Sequence, residues 1–365
     1  MRIALVVPGG VDRSEEFRII PALIALIERL SVCNEVHVFA LHQEPGPDEW
    51  RVAGAQVYNI GQGYTRFRAV RSIVAKHRAA PFAVVHAVWS GNCGLIAAVA
   101  GKLLRVPSLI HIAGGELACL PQINFGGFQT WRGRLREAWV LRAASAISAA
   151  SAPTIDKLTS LGLKAQRVPL GVDLQRWPPR HPVRRCVDRP AQLIHVASLN
   201  PVKDQTTLLL ALAVLLQAGV DFEMHMVGED TLHGLIHRLS HDLGVSQRVR
   251  FHGFLTQRQL RPLVEAADLM VLTSLHETGP VALLEAAIAG VPTVGTAVGH
   301  LVEWAPDAAI TVPIGDYAAL AASIQHLLAN DDLRLRIARA ALFRATREDA
   351  DFTAQQFQHL YRSVA

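Results

Sequence analysis

Two glutamates and a lysine offer the clearest chemistry in this chain. Glu277 and Glu285 fall seven residues apart in SLHETGPVALLEAAIAGVP, residues 274–292. A carboxylate accepts hydrogen bonds from adjacent hydroxyls, so the pair suits a ligand with a sugar at one end, a ribose at the other and phosphate between. The segment predicts a turn through Glu277, Gly279 and Pro280, then a helix from about Pro280 to Ala289 that stops at Gly290 and Pro292. The amino end of such a helix presents unpaired N–H groups beside a glycine, where a backbone can approach a phosphate closely, which implies an anion site. The alternative is a capping carboxylate followed by an exposed helical glutamate. Against it, the apolar surroundings of Glu285 would make an unpartnered acid there costly.

The lysine comes earlier, in HVASLNPVKDQTTLLLALAVLLQAG. A strand leads through Asn200 and Pro201 into a helix, with Lys203 expected in the first turn. A cation is unfavourable to the helix dipole there, and a phosphate ligand would reverse that penalty.

These segments resemble the family 4 glycosyltransferases, retaining enzymes of the GT-B fold that carry a Glu-x7-Glu motif, and the resemblance runs over nearly the whole chain. It implies that Glu285 binds the ribose of the nucleotide, that Glu277 contacts the transferred sugar, and that the backbone at Gly279, Pro280 and Val281 holds the diphosphate. Lys203 matches the family's downstream lysine, whereas Ser198 stands where an arginine usually does; Arg258 and Arg261 are candidate replacements. Gly253, Phe254 and Leu255 look like the backbone segment that meets the base. Gly299 and Glu303 match a Gly-Gly-x-x-Glu segment near the sugar, with His300 at the second glycine; that histidine is a sugar contact or an exposed loop residue. In the first half, Gly9 and Gly10 look like the family's glycine loop, and His111 stands where a family histidine contacts the transferred sugar. Glu116 is an acceptor contact or a turn cap. No cofactor or metal is expected, the donor being a nucleotide-diphosphate sugar and the acceptor a glycan or lipid-linked molecule in polysaccharide or glycolipid assembly. A catalytically silent nucleotide-sugar-binding scaffold, or an epimerase on the same fold, remains the alternative.

Two other patterns mimic metal sites. His233, His237 and His241 recur every four residues but lack a companion Glu or Cys nearby. Asp349-Ala350-Asp351 reads as helix capping, because acids favour the start of a helix.

The elements that must position these residues are legible as an alternation of short β-branched runs with helical stretches, the pattern of doubly wound α/β sheets. Strands are expected at 3–7, 35–39, 83–86, 108–112 and 146–149, then at 192–197, 223–227, 249–251, 269–273, 293–295 and 310–312, with helices at 19–30 and 95–104. The chain's 365 residues exceed a usual single core. Six prolines and glycines within 168–190 place a linker there. We therefore expect two Rossmann-like domains facing across a cleft: an acceptor domain over 1–175, a donor domain over 176–348, and a final helix over 349–365 returning to the first domain. Full GxGxxG and GxxxxGK[ST] fingerprints are missing, which disfavours dinucleotide and ATP sites. Acceptor contacts are expected in loops 59–68 and 117–131.

Charge is uneven. Residues 1–180 carry 21 Lys/Arg against 12 Asp/Glu, and 51–142 hold 12 basic residues against only Glu116 and Glu137. Such a band is either a solvated face or a surface for something anionic, a phospholipid layer or a pyrophosphate-linked acceptor; nucleic acid fits poorly without a binding motif. Four scattered cysteines read as reduced, mostly buried thiols of a cytosolic protein. No apolar run reaches the roughly 20 residues of a membrane span. The expected location is cytoplasmic, with peripheral contact at the inner face of a membrane.

Overall fold

A computed structural model describes residues 1–364. Contacts divide the chain into two units, Met1–Asp173 with Glu348–Ala365, and Leu174–Arg347.

The first unit begins β1 (Arg2–Val7), α1 (Pro21–Cys33), β2 (Glu35–Ala40), β3 (Asp48–Val52), β4 (Ala55–Asn59), α2 (Thr65–Ala79), β5 (Val84–Val88) and α3 (Gly91–Leu104). It continues with β6 (Ser108–Ile112), α4 (Trp131–Ala143), β7 (Ala146–Ala149), α5 (Ala152–Ser160) and β8 (Gln166–Arg167). Its sheet runs β3-β4-β2-β1-β5-β6-β7-β8, parallel except where β3 pairs antiparallel with β4. Strands β1, β5 and β6 are buried throughout or nearly so because helices cover both faces of a parallel sheet.

The second unit holds β9 (Ala191–Val196), α6 (Gln205–Gln217), β10 (Phe222–Val227), α7 (Leu235–Asp242), β11 (Val249–Gly253), α8 (Gln257–Ala266) and β12 (Leu269–Leu272). Then follow α9 (Val281–Ile288), β13 (Thr293–Thr296), α10 (Gly299–Trp304), β14 (Ile310–Val312), α11 (Tyr317–Ala329) and α12 (Asp331–Arg347). All six strands are parallel in the order β11-β10-β9-β12-β13-β14. Its core gathers the apolar faces of α6 and α11 on Leu193, Met224, Val271 and Val294 of the sheet. The last helix, α13 (Ala350–Val364), packs on α1 within the first unit. Asp349 caps it, accepting from the Phe352 amide at 2.8 Å.

Four differences from the sequence reading stand out. The hairpin β3–β4 turns through Ala53 and Gly54, both with positive φ (47° and 81°), and its edge strand is mostly charged and exposed, so it lacks an apolar run. Helix α2 begins at Thr65 and takes up the last four residues of the segment 59–68 expected to be a loop, continuing beyond it. The linker is not free chain: Trp177 within it is buried, and the Arg180 amide donates to the Ile288 carbonyl at 2.9 Å. Of the four cysteines only Cys93 is buried, the others lying at a helix end, in a loop and in the linker.

Candidate functional site

In an open parallel sheet, ligands bind beyond the carboxyl ends of the strands where the winding order reverses. In the second unit that point lies between β9 and β12. The loops leaving these two strands are 197–204 and 273–280, the segments that carry the lysine and the first glutamate. They are fastened to each other by the Leu275 amide on the Val202 carbonyl at 2.8 Å and by Thr273 Oγ1 on the Lys203 carbonyl at 2.9 Å.

Across this junction Lys203 Nζ donates to Glu277 Oε1, which also accepts from Ser274 Oγ at 2.7 Å. Both charged side chains are partly exposed, so the pair remains open to a ligand. Lys203 does not lie in the first turn of α6, as the sequence suggested. It ends a separate 3-10 turn, Pro201–Lys203, whose amides at 202 and 203 are capped by the Asn200 side chain. Asp204 then adopts a left-handed backbone (φ 45°) and caps α6 through the Thr207 amide. The dipole argument therefore fails for this lysine, and its partner Glu277 accounts for its place.

Immediately beyond Glu277, α9 begins. Pro280 is the N-cap residue rather than the first helical residue; it supplies no side-chain hydrogen bond, and the first turn holds no acid. The leading amides of this helix thus keep the partial positive charge of an uncapped terminus. Gly290 ends α9 with φ 76°. Glu285 is 4% exposed, and burial raises its carboxyl to about 7, opposed by a hydrogen bond from Gln257. Gln257 also accepts from the Trp177 indole, so a linker residue and the first residue of α8 hold the acid in place. No local pattern marks this chain of contacts, because Trp177 and Gln257 lie 80 residues apart.

Other expected residues fall around the same strand ends. Gly299 has φ 49°, and a methyl there would lie 2.7 Å from the Thr278 carbonyl oxygen and 2.9 Å from that of Glu277. Glycine lets α10 approach the glutamate loop. Glu303 lies one turn on and is half-buried. His300 is not an exposed loop residue: it is buried within α10 and stacks on Trp304. Ser198 is exposed, and its carbonyl accepts from Gln205 Nε2 at 3.1 Å. Gly253 has φ 67° and accepts from the Gly228 amide at 2.8 Å, followed by exposed Phe254 and half-buried Leu255. Arg258 is exposed, whereas Arg261 is engaged by Glu265 at 2.6 Å.

Two supporting residues escaped the sequence reading. Gly228 (φ 148°) sits where a methyl would strike the Ala197 carbonyl oxygen at 2.1 Å, so the ends of β9 and β10 close only over glycine; the signal was the glycine after a strand in MVGED. His195 is buried, and desolvation pushes its imidazole down to about 4. Its Nδ1 donates to the Val271 carbonyl at 2.8 Å and its Nε2 accepts from Gln205 at 3.2 Å, tying the two central strands to the start of α6.

In the first unit the reversal lies between β1 and β5. Gly9 and Gly10 follow β1, but the amides of Gly10 and Val11 are taken by Gln43 Oε1 at 2.7 and 3.0 Å. Glu116 is likewise engaged, accepting from the Ser90 and Gly114 amides at 3.0 and 2.7 Å, which makes it a cap for these loops. His111 does not face a ligand. It is fully buried beneath α13, edge-on to Phe357 with Nδ1 on Ser148 Oγ at 2.9 Å, and burial pushes it down to about 3. The sequence places it on a strand but cannot say which side the last helix covers.

Residues 20–171 match the family model for the glycosyl transferase 4-like domain, and residues 181–342 that for glycosyl transferases group 1. The chain belongs to this glycosyltransferase family. Among relatives of this family member, a glycogen synthase of Mycobacterium tuberculosis is 31% identical over 216 residues, 58% of this chain and 52% of that protein. A D-inositol 3-phosphate glycosyltransferase of Corynebacterium urealyticum is 29% identical over 211 residues, 53% and 50% of the two chains. The chain thus spans about half the length of these curated relatives. Sucrose-phosphate synthase from Thermosynechococcus elongatus superposes with a TM-score of 0.84 at 19% identity, over 100% of this chain and 99% of that one. HepE of Anabaena in complex with UDP-glucose gives 0.75 at 20% identity over the full length of both. The fold is GT-B.

Among the described residues no three His, Cys, Asp or Glu are grouped as metal ligands. His233 precedes α7 with φ 52°, off the helix that carries His237 and His241, and His237 stacks on Phe251.

Proposed function

We propose that this chain is a retaining, metal-independent glycosyltransferase that moves a sugar from a nucleotide-diphosphate sugar to a glycan or lipid-linked acceptor in polysaccharide or glycolipid assembly. One observation carries the reading: at the winding reversal of the second unit, a lysine–glutamate pair stands beside an uncapped helix terminus whose second turn holds a buried acid. The α9 amides and Lys203 take the diphosphate, Glu285 accepts from ribose hydroxyls, and Glu277 accepts from hydroxyls of the transferred sugar.

Lys203 is held by Glu277 in the unliganded protein, and a diphosphate offers it a second anionic partner. As the anomeric carbon–oxygen bond breaks, negative charge grows on the leaving phosphate. The lysine and the helix terminus stabilise that charge, which is the role a divalent cation would otherwise serve. The new bond forms from the acceptor oxygen to the anomeric carbon on the face the phosphate leaves, and the acceptor proton passes to a phosphate oxygen. Retention of configuration follows. His111, buried under α13, has no part in these steps. The neighbour that holds UDP-glucose supports the donor class.

The test is a screen of nucleoside diphosphates and their sugars by thermal shift, followed by detection of sugar transfer to a lipid-linked or glycan extract in the presence of a chelator. Binding and chelator-resistant transfer that Lys203→Ala abolishes is the expected result. Binding without any transfer or hydrolysis would instead make the chain a nucleotide-sugar-binding scaffold.

A further inference from the structure

Helix α4 is two-faced in an unusual way. Gly133, Glu137, Val140 and Leu141 are buried, and the helix packs on α3. Its opposite face carries Trp131, Leu135 and Trp139, spaced at i, i+4 and i+8 and 66%, 61% and 44% exposed. A soluble helix normally turns polar residues outward at that spacing. The flanking positions are arginines: Arg132, Arg134 and Arg142 are all exposed. Arg132 lies over the Trp131 ring at 5.4 Å, while Arg134 and Arg142 donate only to backbone carbonyls. None of the three pairs with an acid among the described residues.

The basic band of the sequence acquires a sharper meaning here. Its only two acids are both buried, Glu116 in a loop cap and Glu137 on Ser90 and Arg136. The exposed charge of residues 51–142 is therefore entirely positive. An apolar stripe of tryptophan and leucine bordered by unpaired arginines matches a helix that lies in the plane of a membrane interface. There the rings sit at headgroup depth and the guanidinium groups meet lipid phosphates. The stripe offers on the order of 300–400 Å² of apolar surface, short of the roughly 800 Å² per partner of a stable protein interface, which favours a lipid layer over a second chain. No helix among the described residues is long and apolar enough to cross a membrane, so contact of this kind would be peripheral.

We propose that α4 docks this protein on an anionic phospholipid surface, with Trp131, Leu135 and Trp139 inserted and Arg132, Arg134 and Arg142 on the headgroup phosphates. This deepens the lipid-linked acceptor reading above by naming the surface that brings the protein to such an acceptor, and it stands apart from the donor site in the other unit.

The full chain is sedimented with vesicles of phosphatidylcholine alone or with about a third phosphatidylglycerol, at low and high salt. Wild type should bind only the anionic vesicles, less at high salt, with a blue shift of tryptophan emission. Arg132→Gln/Arg134→Gln/Arg142→Gln should weaken binding on the order of 100-fold, since each basic residue near an anionic surface contributes about fivefold. Trp131→Ser/Leu135→Ser/Trp139→Ser should weaken it at least about tenfold and remove the emission shift. Both variants should keep the wild-type melting temperature and the thermal shift with UDP-glucose or another nucleotide sugar, which separates loss of docking from loss of the donor site. Wild type that ignores anionic vesicles, or variants that bind as wild type does, overturn the proposal. So does a dimer in sedimentation equilibrium that the serine variant abolishes, which would assign the stripe to self-association.

Discussion

Replacing Glu285 with glutamine removes a charge while keeping the shape of the side chain. Burial raises this carboxyl from 4.5 to about 7. At about 1.4 kcal/mol per pH unit, the ionised acid destabilises the free protein by about 3 kcal/mol. Between those two values the folded chain holds a proton that the unfolded chain has released. Stability therefore falls as pH rises through that window and is level above it. Glutamine carries no such penalty. Glu285→Gln should accordingly melt above wild type at pH 8, by as much as about 6–12 °C for a unit of this size, and the gap should close as pH approaches about 5. Binding should move the other way. A nucleotide-diphosphate sugar has no proton to lose near neutrality, so ionisation of Glu285 should raise wild-type affinity about tenfold from pH 6 to pH 8. The variant should bind more weakly with a flat profile. Differential scanning calorimetry and isothermal titration across that range measure both. A Glu285→Gln protein less stable than wild type at pH 8, or a gap independent of pH, would show that the acid is comfortable where it is buried, and the reason for giving it a ligand would be gone.

Lys203→Ala should lower turnover by about 100-fold or more through loss of charge stabilisation on the leaving diphosphate, with the melting temperature of the free protein little changed because the lysine is partly exposed; steady-state kinetics with melting curves check this. Gly299→Ala should cost about 1–3 kcal/mol, since φ is 49° and the methyl meets the Thr278 carbonyl, and should also impair transfer by displacing Glu277; denaturant unfolding beside activity separates the two effects. His86, His111 and His195 are buried and neutral, their imidazoles pushed down by desolvation. Each is protonated in the unfolded chain below about 6.5 but not in the folded one, so stability should fall by up to about 1.4 kcal/mol per pH unit for each as pH drops from there. Melting curves at descending pH should show a shallower fall for His111→Gln.

Most of the parallel strands were readable, β4 and β8 excepted, because strands covered on both faces are rich in apolar residues, and runs such as IALVV and LIHI leave little choice. The edge hairpin at Asp48–Asn59 was not: β3 is a mostly exposed strand of charged residues, and β4, though mostly buried, mixes Gln56 and Asn59 into too short an apolar run. The Glu277 and Glu285 spacing was readable for a different reason, as both belong to one short strand–turn–helix segment whose geometry is local. Contacts that close over distance left no trace. Trp177 reaches Gln257, and Phe357 covers His111, in each case joining residues whose neighbours give no hint of the partner. A strand histidine looks the same in sequence whether a helix or a ligand lies over it. Lys203 was expected in the first turn of α6 and lies outside it, because the left-handed Asp204 that separates it from α6 is a backbone choice that a non-glycine residue rarely makes.

Both units reverse their winding in the same manner, yet they treat the reversal differently. In the first, the amides that follow β1 are occupied by Gln43, and those beside β5 by Glu116 and Glu137. Internal carboxylates and an amide oxygen already stand where an anion would go. In the second, α9 starts without a side-chain cap, and the nearest acid turns toward a lysine instead. A phosphate group needs amides that no internal acceptor has claimed together with a nearby cation, and of the two reversal points only the one between β9 and β12 meets both conditions. The proposed reaction is consistent with that contrast, which favours the second unit over the first for an anionic donor.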